Sequence, residues 1–293
     1  MRLKHSWHVG LLAAALSLAS QALAAPQHVV SLLVCTDEYI FRLLPRDRIA
    51  ALSYLAADRH PVVSTIADKV GGIPLIRQDA EAVLAKHPDL VVTDRDVNQK
   101  LHAVLAAAGI RVYDVPFADS FGDIRRTTLA LGEVLGEPAR AKALITAMDA
   151  KLAAARAHAP SPPVTTLIYE PNGYVTGDGV TDEILRAGGM RNAGPDMHQA
   201  RNGTVPVEMI AYAPPELLVL NDAREATPAH ADQLLHHPAL TALGDTTMVA
   251  HLSLTPLLCP GPWSADAAAP LEALAVRARS QARLRAGAVR PKN

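Results

Sequence analysis

The sequence has few aromatic residues and little cysteine, and neither sign of charge dominates it. Aromatic side chains make up 4% of the 293 residues, cysteine occurs twice, and 28 Lys and Arg stand against 29 Asp and Glu for a net charge of −1. Near-neutrality removes the electrostatic case for a nucleic-acid or anionic-membrane partner, because counterion release needs a basic face. The one basic cluster, VRARSQARLRAGAVRPK at the C-terminus, reads as a solvated helix end. Also missing are a G-x-S-x-G elbow, H-E-x-x-H, a phosphate-cradling glycine loop and C-x-x-C, so no motif points to an enzyme. His236 and His237 are adjacent, and neighbours on a helix face different directions.

What is present is apolar bulk, 49% of the residues, enough for one or two domains with real cores. At the N-terminus Arg2, Lys4 and His5 precede GLLAAALSLASQALA, and Ala22-Leu23-Ala24 supplies small residues for cleavage. This predicts a signal peptide over 1–24 and a mature, exported chain from about Ala25, in the periplasm. The run is too short for a comfortable transmembrane helix. Export places Cys35 and Cys259 in an oxidising compartment.

The mature chain alternates strand-like and helix-like runs. HVVSLLV (28–34), IAALSYL (49–55), DLVVTD (89–94) and IRVYDV (110–115) read as buried strands, separated by helical patterns in DEYIFRLL, DAEAVLAKH and VNQKLHAVLAAAG. TTLIYE (165–170), ELLVLN (216–221) and MVAHLS (248–253) repeat the alternation, with helices expected in TDEILRAGG, PVEMIAYA and ADQLLHH. Such alternation predicts parallel βαβ units, hence two α/β, Rossmann-like lobes with ligand groups at the carboxyl ends of the strands. Between the lobes an Ala-, Leu-, Arg-, Lys- and Glu-rich segment predicts a helix from about Pro138 to His158, roughly 30 Å long at 1.5 Å per residue. The expected division is an N-terminal lobe over 25–133, a connecting helix within 134–160 and a C-terminal lobe over 161–293.

One block occurs twice. EAVLAKHPDLVVTD (81–94) returns as EMIAYAPPELLVLND (208–222), each with a glutamate seven residues before a proline, an acid after it and then an apolar run. These blocks, the opening VVSLLVCTDEYIFRLL, the LGEVLGEPARAKAL stretch and TDEILRAGGMRNAG resemble, in this order, the substrate-binding proteins of ABC importers. The class is the one with two lobes joined by one long helix, serving iron–siderophores, haem and vitamin B12. The resemblance spans the mature chain. It implies a central parallel sheet in each lobe, a cleft between lobes, no catalysis, and a metal chelate as ligand with no cofactor of the protein's own. It also implies a monomer that docks on transporter membrane subunits, with those roles carried to Glu81 and Glu208. The alternative for both glutamates is a first-turn position favoured by the helix dipole, with Asp79 capping one helix and Pro206 opening the other.

On that fold the strand-to-loop junctions supply the candidate ligand residues: Thr36, Asp37, Tyr54, Arg59, Arg95, Phe117, Tyr169, Asn172, Tyr174, Asn221 and Trp263. Aromatic faces suit flat macrocycles and aryl chelators, and arginines suit anionic chelates. Each tyrosine has the alternative of a core position with a satisfied hydroxyl. Three readings of the cysteines stay open: a disulfide between Cys35 and Cys259 tying the lobes together, a thiolate pair in a metal- or thiol-active protein on the same scaffold, or two small core residues.

Overall fold

The computed structural model describes residues 25–59, 63–94, 99–197, 203–221 and 230–288. Lobe one contains β1 (Val29–Ser31), α1 (Val34–Leu43), β2 (Ile49–Ser53), β3 (Leu75–Ile76), α2 (Ala80–Leu84), β4 (Leu90–Thr93), α3 (Gln99–Ala107) and β5 (Arg111–Asp114). Helices α4 (Phe121–Leu135) and α5 (Pro138–His158) follow. Lobe two contains β6 (Val164–Tyr169), α6 (Gly179–Ala187), β7 (Met190–Asn192), α7 (Val207–Tyr212), β8 (Leu217–Asn221), α8 (Pro238–Thr241), β9 (Met248–Leu252), α9 (Thr255–Leu258) and α10 (Ala268–Ala288).

Both sheets are parallel throughout, in the orders β3-β2-β1-β4-β5 and β7-β6-β8-β9. The two-lobed α/β architecture expected from the alternation is therefore present. In each lobe the first strand is central, with its successor on one side and a later strand on the other. That reversal leaves a crevice at the carboxyl ends of β1/β4 and of β6/β8.

The repeated block explains part of this symmetry. Asp89, the acid after the first proline, accepts from the backbone N–H groups of Gln27 (2.6 Å) and His28 (3.1 Å), just ahead of β1. Glu216, its counterpart, accepts from the N–H of Thr165 in β6 at 2.9 Å and pairs with Arg279. Each acid thus ties the start of one strand to the start of its neighbour, satisfying amides that would otherwise lack a partner.

Helix α5 has the predicted bounds. Pro138 opens it at a position where a missing N–H costs nothing, and Arg156 and His158 stand in its last turn, where cations suit the dipole. Its Ala141 packs in lobe one's core, whereas Met148, Leu152 and Ala155 pack in lobe two's. Antiparallel to it, α4 does the same in reverse, with Phe121 and Ile124 in lobe two's core and Leu131 and Leu135 in lobe one's. The chain turns between them at Gly136, whose φ of 72° is left-handed, and Arg48 fastens that turn through Leu135 O and Glu137. The lobes are thus joined by a braced pair of helices.

Local departures from expectation are short. Residues 28–34 were expected in one strand, but β1 ends at Ser31 and α1 begins at Val34. ADQLLHH forms 3-10 turns over His230–His236 in place of an α-helix. Strands β3 and β7, of two and three residues, lie outside the expected set. Among the described residues no helix is long and apolar enough to cross a membrane.

Candidate functional site

The carboxyl ends of β6 and β8 carry Glu170 and Asn221. Asn221 Nδ2 donates to Glu170, while its Oδ1 accepts from Leu254 N at 2.9 Å, so one amide fastens the chain after β6 to the ends of β8 and β9. Beside this junction opens a cavity of about 420 Å³. Its lobe-two wall includes Glu170, Tyr174, Asp178, Asn221 and the first residues of α6, and Leu254, Thr255, Leu257, Leu258 and Pro260 close another side. Phe117, Ala118 and Asp119 reach it from the segment that leads from β5 into α4. Burial pushes the Glu170 carboxyl up, a cost that the Asn221 hydrogen bond offsets only in part.

This placement at a strand-order reversal, between two lobes bridged by a long helix, is how a ligand-binding cleft is built in open α/β proteins. Residues 58–246 match the periplasmic binding protein family. The chain belongs to that family. Solved structures agree with the fold. The periplasmic haem-binding protein RhuT from Roseiflexus sp. RS-1 is 23% identical with a TM-score of 0.70, covering 86% of this chain and 98% of its own. The vitamin B12-binding protein BtuF of Vibrio cholerae is 16% identical (TM-score 0.63; 87% and 98% covered). The Fe3+-hydroxamate transport-system protein from Saccharomonospora viridis is 20% identical (TM-score 0.61; 85% and 93% covered). No curated protein matches the sequence.

Of the residues singled out from the sequence of this periplasmic binding protein, the cavity brings together Phe117, Tyr174 and Asn221, with Phe117 70% and Tyr174 48% exposed. Tyr54 is 44% exposed after β2, beneath the guanidinium of Arg77 at 4.9 Å, and Arg59 is also exposed. Neither is part of this cavity's lining. Asn172, left-handed at φ 60°, lines a different concavity, shared with Glu208 and His237. Arg95 lies outside the described residues.

Four candidates are buried and committed to the fold instead. The hydroxyl of Thr36 bonds Ser31 Oγ at 2.7 Å and donates to Leu33 O at 2.9 Å. Asp37 is wholly enclosed and accepts from both the backbone N–H (3.1 Å) and the hydroxyl of Ser53. Desolvation pushes its carboxyl up to about 7 despite these bonds. Tyr169 is enclosed as well, its hydroxyl donating to Val205 O at 2.9 Å. Trp263 is 3% exposed and belongs to the core of lobe one. It meets Tyr39 edge-on at 4.7 Å, lies under the Arg42 guanidinium at 4.6 Å, and donates to Cys259 O at 2.8 Å. The indole folds directly over Gly261, where a Cβ would stand 2.3 Å from the ring, so only glycine fits there.

Cys35, in the first turn of α1, and Cys259 form a disulfide across 224 residues. It joins a lobe-one helix to the loop that follows α9 in the second half of the chain. A bond of this kind typically contributes about 2–4 kcal/mol. Disulfide and tryptophan together anchor that loop on lobe one, a contact independent of the helix pair.

Glu81 and Glu208 both occupy the second position of a short helix, exposed, and their carboxylates make no hydrogen bond or ion pair among the described residues. Asp79 caps the first helix, accepting from Ala82 N at 2.8 Å, and Pro206 precedes the second at its N-cap. The sequence places Glu170 in the cleft-facing junction after β6 without singling it out as a ligand residue, and it gives no sign of Asp119 and Asp178 as cavity residues. Glu170 is legible as the polar residue directly after β6, whereas Asp119 and Asp178 sit in segments whose approach depends on how the lobes meet. Among the described residues no group of three or more His, Cys, Asp or Glu is placed to hold a metal ion.

Proposed function

We propose that the protein is exported by a cleaved signal peptide over residues 1–24 and works in the periplasm as a monomer. There it captures an iron–siderophore, haem or cobalamin-type chelate and delivers it to the membrane subunits of an ABC importer. The observation that carries this reading is the cavity of about 420 Å³ at the β6/β8 reversal, with two exposed aromatic faces in a chain poor in aromatics. The similar proteins, which are haem-binding, vitamin B12-binding and Fe3+-hydroxamate transport proteins, support the ligand class. Glu81 and Glu208 support docking, since paired carboxylates on two pseudo-symmetric lobes suit a two-fold partner with basic groups. A thiol-active role would need free cysteines, and both are spent in the disulfide.

The test is calorimetric titration of the mature protein with haem, cobalamin and a set of ferric siderophores, followed by reconstitution with the importer. Glu81→Ala and Glu208→Ala are expected to leave chelate affinity unchanged and to weaken docking about five- to tenfold together. Lost chelate affinity in these variants would refute the docking roles.

A further inference from the structure

The doubled block builds two short helices that match in position and differ in side chains. Glu81 and Glu208 are the second residues of α2 and α7. At the next position, and at the position one turn on, lobe one has Ala82 and Ala85 where lobe two has Met209 and Tyr212. Residues four apart on a helix share a face, so Tyr212 stands on the side of α7 that carries Glu208. Tyr212 is 86% exposed and Met209 39% exposed. No other aromatic among the described residues is as exposed as Tyr212, and it lies off the ligand cavity. Leu75 and Val104 are also exposed in lobe one, but they belong to β3 and α3 rather than to α2. Glu208 lines a concavity of about 470 Å³ together with Asn172, Thr204, Leu234 and His237. Its charge is felt inside, where the Tyr169 phenol is pushed up by burial and then by Glu208. A carboxylate without an ion pair among the described residues, at a concavity and flanked by exposed apolar side chains, complements a basic side chain that has an apolar neighbour.

Resting on the docking roles proposed above, we propose that the two lobes dock unequally. Tyr212 and Met209 on α7 anchor a segment of one importer membrane subunit that presents a basic side chain to Glu208 and an apolar one to the ring, whereas α2 offers Glu81 alone. An exposed ion pair contributes little by itself, while a tyrosine that sheds its water on contact belongs to the residue types enriched at binding hot spots. An importer that presents the same segment twice, by two-fold symmetry, is therefore held more tightly on lobe two than on lobe one.

The probes are the host's chelate-class ABC importers in lipid nanodiscs, with docking of the mature protein measured by interferometry at low and high salt. Tyr212→Ala is expected to weaken docking about tenfold and to leave its salt dependence unchanged, because no charge is removed. Tyr212→Phe, which keeps the ring, should dock within about twofold of the native protein. Glu81→Ala or Glu208→Ala alone should cost about two- to threefold and reduce the salt dependence. Ala85→Ser, at the matching position of lobe one, should change docking by less than about twofold. Melting temperature and chelate affinity are expected to stay at native values in all five variants. Native docking by Tyr212→Ala, with both glutamate variants weakened, overturns this inference and leaves the docking roles intact. A lowered melting temperature in Tyr212→Ala overturns it too, because the ring would then belong to the fold. Self-association of the free protein in sedimentation, abolished by Tyr212→Ala, would assign the face to a second copy of the chain and also overturn it. Failure of the native protein to dock on any of these importers overturns the docking roles and this inference together.

Discussion

Two loops beside the cleft, 170–174 and 259–263, have similar chemistry and opposite fates. Each follows a regular element, each contains proline and glycine, and each ends in an aromatic residue. In 259–263 the disulfide to Cys35 holds the loop on α1, and Trp263 folds over Gly261 into lobe one's core. In 170–174 the left-handed Asn172 and Gly173 turn the chain outward, after Tyr169 has been fixed by Val205, and Tyr174 is left half-exposed at the cavity. An aromatic at the end of a loop therefore becomes core or cavity wall according to what anchors the loop. One loop forms part of the joint between lobes and the other lines the cavity.

Exchanging roles by mutation tests the contrast. The largest effect is expected from Trp263→Ala, which empties a fully packed site and should destabilise the protein by about 3–5 kcal/mol in urea unfolding. A loss below about 1 kcal/mol would break the assignment of that loop to the core. Next comes Asp37, the buried acid on α1 beneath the same joint. Its folded pKa of about 7 lies above its ordinary 3.8, so between those values the folded state holds more protons than the unfolded one. Stability from this group is thus complete below about pH 3.8 and lost as pH rises through about 7. Asp37→Asn, which mimics the neutral acid, should flatten the stability profile across that window by a few kcal/mol, and an unchanged slope would count against a proton held there. The smallest effect on folding is expected from Phe117→Ala and Tyr174→Ala. Each should change stability by no more than about 0.5 kcal/mol while costing about 1 kcal/mol, or fivefold, in chelate affinity. A reversal, stability lost and affinity kept, would place those rings in the core after all.

The two lobes also differ at matching positions. After β1 the chain enters α1 within three residues, and its polar side chains fold back: Thr36 bonds Ser31, Asp37 bonds Ser53, and Glu38 accepts from Ser64 and Thr65 and pairs with Arg42. After β6 the chain makes a wider loop before α6, and Glu170 and Tyr174 stay at the cavity. The sequence stretches VCTDEY and YEPNGY both look like polar strand ends, and which of them reaches the cavity depends on the length of the loop that follows.

Helix α5 was legible to the residue because its signals are local: a proline at the start, strong helix formers within and cations at the end. Seven of the nine strands among the described residues were legible from apolar runs, the three-residue β1 because it lies inside the longer run 28–34, but β3 and β7 were not, since so few residues without such a run make a strand only by pairing with a neighbour already in place. Of the candidate ligand residues, Phe117, Tyr174 and Asn221 reach the cavity, whereas Thr36, Asp37, Tyr169 and Trp263 are inside. Nothing local separates the two groups.

By itself the sequence determined the alternation of strands and helices, the helical strut and the doubled block, because each rests on periodicity, propensity or repetition along the chain. The tertiary structure decided which side chains are core and which are cleft. It also decided that Cys35 and Cys259 meet and that Asp119, Glu170 and Asp178 line one cavity. Those facts concern distances between segments far apart in sequence, and only packing sets such distances.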